Sequence, residues 1–427
     1  MKKLFSLFLL LFVFLLPSCS EELSDSPKYV FMFVGDGMGM NAVSLSEYSG
    51  ESVAFCDFES FGMVSTHNLS SEITDSASAA TAFASGEKTF SGRVGVNKNG
   101  RKLSTLTDFF KGKDMKVGLV SSQGVNHATP AAFYAHNKSR YNYYEIGLNF
   151  VTSDIDIFTG AGFVEPDGEK GNLYELAEGR IITNGEKCLP YEIDRKDGEK
   201  SLADYLTLAI ENLDNDKGFF IMCEGGRIDS ALHLNDAGTA LHELTAFSDA
   251  VKVALDFYKK HPKETLIIVT ADHETGGLTL GYTGTEYEMY PEILKKQKIS
   301  CQRFADEYVS KYVENDTPFE EILCDIEKLY GLDDLTDYEK ESISYAFEIT
   351  KKGNSAYTTR DWLEYSDKNP LAVAVAELVA SRAGVSFTTF YHTASPVGIW
   401  AKGVGEESFT GFFDNTDIYY KIKEVCR

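Results

Sequence analysis

Apolar positions along this chain gather into short unbroken runs, at Tyr29–Val34, Val117–Ser121, Phe219–Cys223 and Leu266–Thr270. Runs of this length without polar alternation are the mark of strands buried on both faces, as in parallel sheets. Between them lie stretches with helical spacing of apolar residues, for example Ser201–Leu213 and Thr239–Phe257. Strands alternating with helices predict an α/β fold: a doubly wound, mostly parallel central sheet with helices on both faces. A later run, Val397–Ala401, reads as one more strand. The segment from about 281 to 390 departs from this rhythm. It is rich in charge, with helices expected around Cys301–Val313, Pro318–Tyr330 and Leu371–Ala383, the last closed by Gly384. It reads as a helical insertion that shapes the entrance of a site carried by the core.

Ligands of such sheets bind beyond the carboxyl ends of the strands, and those ends carry the chain's most distinctive residues. Tyr29–Val34 runs into Gly35-Asp36-Gly37-Met38-Gly39, and Val117–Ser121 leads to Asn126-His127-Ala128-Thr129-Pro130. Phe219–Cys223 is followed by Glu224-Gly225-Gly226-Arg227-Ile228-Asp229, and Leu266–Thr270 by Ala271-Asp272-His273-Glu274. One acidic residue after a strand is ordinarily a cap or a turn. Acids or histidines at four strand ends on one sheet edge point instead to a shared centre.

Before the first strand, Lys2 and Lys3 precede an apolar run, Leu4 to Leu16, that is too short to span a bilayer. It reads as an export signal over residues 1–18. Leu16-Pro17-Ser18-Cys19 resembles the site at which bacterial lipoproteins are cleaved and acylated, so Cys19 is the expected lipid anchor. Residues 19–28 then form a tether, and 29–427 the catalytic domain. This predicts an exported protein on a bacterial membrane, facing the periplasm or the cell surface. A formal net charge of −24 argues against a nucleic-acid partner. It also means that an anionic substrate needs locally concentrated positive charge. Seven cysteines, including Cys19, show no metal-finger spacing; the other six leave their pairing open.

Asp229 and His233 are spaced to share one face of a helix, and their oxygen and nitrogen donors suit zinc. Glu224, on the two-glycine turn before them, is free to face a harder ion. Asp272-His273 offers a second donor pair, and Asp36 between two glycines can turn its carboxylate on a ligand without obstruction. The run Thr74-Asp75-Ser76-Ala77-Ser78-Ala79-Ala80 predicts a small-residue helix capped by Asp75 or Thr74. Ser76 then lies in the first turn, where free N–H groups and the helix dipole favour a phosphate. A serine hydroxyl is a weak nucleophile and no histidine adjoins it in sequence, so a metal ion is the expected activator. Arg140 has the planar fork that grips phosphoryl oxygens. His392, before the late strand, can complete a site with Asp229 and His233.

Together these motifs resemble the alkaline phosphatase family from Tyr29 to about Asp417. The specific matches are Gly35-Asp36-Gly37-Met38, Thr74-Asp75-Ser76-Ala77-Ser78, Gly86-Glu87-Lys88-Thr89, Glu224 to Asp229, Thr270-Ala271-Asp272-His273 and His392-Thr393. The resemblance implies a phosphate monoesterase acting through a phosphoserine on Ser76. It implies one zinc held by Asp229, His233 and His392, and a second held by Asp36, Asp272 and His273 with Ser76 at its open position. It further implies a third ion, usually magnesium, at Asp36, Thr129 and Glu224, and an Arg140 grip on the transferring phosphoryl group. Homodimers are common among such proteins. Three positions depart from the pattern: His127 where some relatives have Asp, Ser230 where a larger residue often sits, and Ala394 where Gly is common. Of these, His127 beside the third site bears on its ion preference. Two other readings compete with this one. Asp75-Ser76-Ala77 lacks the local motifs of the diesterase and sulfatase relatives. A non-catalytic surface lipoprotein would not be expected to keep a full set of ligands and a nucleophile.

Overall fold

The computed structural model describes residues 26–427 apart from 354 and 356. The expected leader and the anchor Cys19 lie outside the described residues. Thirteen strands occur among those described: β1 (Tyr29–Gly35), β2 (Ser60–Ser65), β3 (Lys116–Ser121), β4 (Ile157–Gly160), β5 (Ile181–Thr183), β6 (Phe219–Gly225), β7 (Thr265–Ala271), β8 (Glu274–Thr275), β9 (Thr279–Leu280), β10 (Val385–Ser386), β11 (His392–Thr393), β12 (Val397–Gly403) and β13 (Gly411–Asp414). Nine of them build one sheet in the order β13-β2-β12-β7-β1-β6-β3-β4-β5. From β7 to β5 every neighbouring pair is parallel. β12 runs antiparallel to both β7 and β2, so the sheet is mixed on that side.

The four apolar runs are the four contiguous central strands, and β1, β6 and β7 are buried along their whole length. Neighbouring side chains on β6 show how both faces are covered. Phe219 packs on Phe257 of the helix Ala237–Lys260, with ring centroids 5.4 Å apart. Phe220, pointing the other way, stacks on Phe110 of the helix Leu106–Lys111 at 4.5 Å. Caps mark where these helices begin: Ser201 opens Leu202–Leu213 with a reciprocal capping box, and Asp236 accepts from Thr239 N at the start of Ala237–Lys260.

Strand order switches about β1, with β6 on one side and β7 on the other. That is the switch point at which α/β sheets open a crevice. Register makes the crevice usable. Gly35, the last residue of β1, pairs with Gly225 and with Ala271, so Asp36 and Asp272 leave the sheet at one level.

Residues 281–390 are mainly helical, as expected, with three local differences. Cys301–Glu314 is helical throughout, but Ala305–Val309 adopts the wider π winding. Pro318 caps Phe319–Tyr330 from outside rather than starting it. Pro370–Arg382 ends on Ala383, and Gly384 takes the next, left-handed position at φ +76. Phe304, Ile322, Ile326 and Tyr330 belong to the same continuous apolar cluster as the sheet. Cys56, Cys188, Cys223, Cys301, Cys324 and Cys426 are all free thiols. No helix among the described residues is long and apolar enough to cross a membrane.

Phe247 shows how strongly the crevice floor depends on packing. It is fully buried, with Phe33 and Phe55 edge-on at 5.9 and 6.1 Å. Phe247→Ala is expected to cost about 3–5 kcal/mol of unfolding free energy, read by denaturant titration. A loss below about 1 kcal/mol would show that the cluster closes over the gap.

Candidate active site

Asp36 stands on a turn that only glycine neighbours permit. Gly37 has φ +72, and a Cβ there would meet Asp229 Oδ1 and Thr275 Oγ1 at 2.9 Å. Its N–H donates to Asp272 Oδ1 at 3.0 Å, which ties the ends of β1 and β7 together. The helix Ser76–Ser85 begins beside them with Asp75 as N-cap, and all of its residues are buried. Small side chains allow that depth. Ser76 Oγ lies 3.2 Å from His273 Nε2, 197 residues away in sequence.

The tautomers of three histidines follow from what their Nδ1 atoms touch. His233 Nδ1 meets the carbonyl of Phe390 at 2.5 Å, and His392 Nδ1 that of Thr74 at 2.8 Å. A carbonyl only accepts, so both nitrogens carry hydrogen. Thr275 Oγ1 donates to Asp229 Oδ1 at 2.6 Å, which leaves its oxygen to accept from His273 Nδ1 at 3.2 Å. In its neutral form each of the three imidazoles therefore turns an Nε2 lone pair inward. His392 reaches this position through a short ribbon, β11 on β8, that sets His392 opposite Thr275.

What those lone pairs face is more negative charge. Asp272 Oδ2 and Asp36 Oδ1 approach His273 Nε2 at 3.2 and 3.5 Å. His233 Nε2 and His392 Nε2 are 3.1 Å apart, with Asp229 oxygens at 3.2 and 3.7 Å from them. Donor atoms of Asp36, Asp272 and His273 converge within 4.8 Å, as do those of Asp229, His273 and His392. Asp36 Oδ1, Asp272 Oδ2, Glu224 Oε1, Thr129 Oγ1 and His127 Nδ1 are buried without a hydrogen-bond partner. Burial, followed by repulsion from Asp272, Asp229 and Glu224, drives the Asp36 carboxyl well above its ordinary range. Burial also raises Asp272 and Glu224, the latter despite a hydrogen bond from Ser121 Oγ. Burial and the nearby His392 hold His273 well below its usual value, so it stays neutral. Facing acceptors with no proton between them are costly in a dry interior. Cations remove that cost, and imidazole plus carboxylate is the donor set of zinc. The residues present fit metal ions.

Arg140 and His127 stand at the edge of this cluster. Burial, with Arg140 adding to it, pushes His127 down to about 3. Arg140 Nη1 lies 3.3 Å from Asp75 Oδ2, and Nη2 lies 3.5 Å from His127 Nε2. Asp75 is tied in turn: Oδ1 accepts from Ser78 N at 3.3 Å and Ser78 Oγ at 2.6 Å, and both oxygens accept from Gly92 N at 3.1 Å. Asp75 thus serves the helix of Ser76 and the guanidinium of Arg140 at once. The sequence marked it only as a cap; its second contact needs the position of Arg140. Thr275 and Gln123 also escaped sequence reading. Gln123 Nε2 donates to Ser230 Oγ at 3.0 Å and Gly226 O at 3.1 Å, beside the small residue noted at Ser230. Neither carried a sequence signal beyond its closeness to a motif.

A serine at a helix N-terminus, faced by buried carboxylates and imidazoles that demand cations, defines a metal-dependent hydrolase. The alkaline phosphatase family model matches residues 27–154 and 185–427. Alkaline phosphatase 4 of Bacillus subtilis (strain 168) is 32% identical, over 92% of this chain and 88% of its own length. Alkaline phosphatase 3 of the same organism matches with the same identity and coverage. The crystal structure of a cold-active alkaline phosphatase from the psychrophile Shewanella sp. superposes with a TM-score of 0.80 at 30% identity, over 93% of this chain and 100% of that one. The chain belongs to the alkaline phosphatase family; it is an enzyme, a phosphoric monoester hydrolase.

The two tasks of Asp75 are separable by measurement. Asp75→Ala is expected to lower stability by about 1 kcal/mol through the lost cap. It should also reduce kcat/KM by about tenfold through a released Arg140. Unchanged kcat/KM in a folded variant would show that Arg140 needs no support from Asp75.

Proposed function

We propose that this enzyme hydrolyses phosphate monoesters by two successive displacements at Ser76, with release of inorganic phosphate. The observation that carries the reading is the meeting of Ser76 Oγ with His273 Nε2, at 3.2 Å, where Asp36 and Asp272 also converge. Asp229, His233 and His392 would hold one zinc, and Asp36, Asp272 and His273 a second one beside Ser76. Asp36, Thr129 and Glu224 would hold a third ion, usually magnesium, with His127 next to it. Bound there, the ions would supply positive charge for a serine alkoxide and for the departing alkoxide.

The protein's own groups set the geometry of the reaction. Arg140 and the first free N–H groups of the helix Ser76–Ser85 bind the non-bridging phosphoryl oxygens. Ser76 Oγ attacks phosphorus and the alcohol leaves from the opposite side. Water then attacks the phosphoserine, inorganic phosphate leaves and the serine hydroxyl is restored. Positioning and charge account for most of phosphoryl-transfer catalysis, so a strong protein base is not required.

His127 distinguishes the third site. Two solved variants of the alkaline phosphatase from the Antarctic bacterium TAB5, each with a histidine replaced by Glu or Asp, are described as holding magnesium in a site named M3. An imidazole at His127 favours a softer ion there and weakens magnesium. The leader Leu4 to Leu16 and the Leu16-Pro17-Ser18-Cys19 motif support export and acylation at Cys19, on the periplasmic or outer side of a bacterial membrane. A homodimer is the assembly the family likeness favours.

Ser76→Ala is expected to lower kcat by at least about a thousandfold, with zinc content close to that of the unaltered protein by elemental analysis. Activity near the original value would remove Ser76 from the chemistry. Chelation should abolish p-nitrophenyl phosphate hydrolysis and lower the Tm, because the buried carboxylates lose their counter-ions. Zinc with magnesium should restore both. A stripped sample that remains folded yet regains no activity with any divalent metal would contradict the assignment.

A further inference from the structure

A cavity of about 930 Å³, sharing no lining residue with the phosphate site, lies among the helices of residues 281–390. That is the size of a small-molecule pocket. Its wall carries the rings of Tyr282, Tyr338, Tyr365 and Phe387, and Glu377 stands among them. Among the described residues, the carboxylate of Glu377 has no cationic neighbour within salt-bridge distance. Asn235 Nδ2 donates to its Oε1 at 3.1 Å, and the other charge acting on it is that of Glu364, also negative. Burial pushes its carboxyl up to about 7.

The two arginines of the wall are engaged elsewhere. Arg382 donates from Nε and Nη2 to Glu339 at 2.7 and 2.8 Å, and from Nη1 to the carbonyl of Asp333 at 2.8 Å. Arg360 donates to Glu364 at 2.7 Å while its guanidinium lies over the Tyr345 ring, 4.8 Å from the centroid. With Glu341 also in the wall, negative charge is in excess over positive. Aromatic faces around an uncompensated carboxylate are the recognition chemistry of an organic cation.

We propose that this cavity is a binding site for a small organic cation, an amine or a quaternary ammonium compound, held by Glu377 and the surrounding tyrosines. None of its lining residues belongs to the phosphate site, so the proposal is independent of the reading given for Ser76.

The test is calorimetric titration of the zinc- and magnesium-loaded enzyme with choline, at a pH of about 8 where a carboxylate is charged. Saturating inorganic phosphate is present to occupy the catalytic centre. Choline should bind saturably. Its uncharged isostere, with carbon in place of the ammonium nitrogen, should bind at least about tenfold more weakly. Glu377→Gln keeps the size of the side chain and an acceptor for Asn235, and should weaken choline about tenfold with little change in Tm. Should that variant fail to fold, Tyr282→Leu decides, since Tyr282 is 41% exposed and its loss is tolerable for the core. It should weaken choline several-fold through the lost ring face. Absence of saturation up to about 50 mM choline, equal binding of the uncharged isostere, or original affinity in a folded variant would each overturn the proposal.

Discussion

Everything at the catalytic end of this molecule depends on an electrostatic mismatch that the fold creates and does not itself resolve. Three imidazoles are each fixed through Nδ1, two on backbone carbonyls and one on the Thr275 hydroxyl. Their Nε2 lone pairs are thereby committed to a space already lined by Asp36, Asp229 and Asp272. Coulombic repulsion and lost hydration both disfavour that arrangement in a dry interior. It persists because β1, β6 and β7, the long helix Ala237–Lys260 and the glycine turn at Gly37 fix the backbone from outside the cluster. Binding of divalent cations then recovers free energy that folding has expended, and that difference is a source of metal affinity.

Sheet topology delivers these groups in a specific order. The switch in strand order about β1 brings Asp36 between the ends of β6 and β7, so that one carboxylate can face donors from both sides. The antiparallel β12 follows the β11–β8 ribbon, which returns the chain over the crevice and sets His392 opposite Thr275. The helix of Ser76 and Arg140, which Asp75 joins, enter from a different direction. The carboxylate–imidazole cluster and the Arg140–Asp75 pair thus rest on separate elements, with Ser76 Oγ set against His273.

Much of this was legible beforehand because it is local. Continuous apolar runs revealed the central strands, and the residue after each run exposed the chemistry. The spacing of Asp229 and His233 foretold a shared helix face, and the structure places their side chains 3.2 Å apart. The helix of Ser76 was readable from small residues and a cap. What the sequence concealed is the product of long-range contact. Thr275 fixes a tautomer only because Asp229 and His273 arrive on either side of it. Asp75 supports Arg140 from 65 positions away, through a contact that no local pattern encodes. The π winding at Ala305–Val309 and the antiparallel placement of β12 likewise follow from packing. The export signal expected over residues 1–18 lies outside the described residues.

The burial of the whole helix Ser76–Ser85 has a bearing on how such an enzyme can diversify. Alanine, serine and threonine make up most of that segment, and any enlargement would displace the serine oxygen from its partners. Variation in side-chain size is therefore excluded from this element. It is left to surfaces that can change shape without disturbing the buried floor. The buried helix and the exposed surface thus differ in their tolerance for mutation.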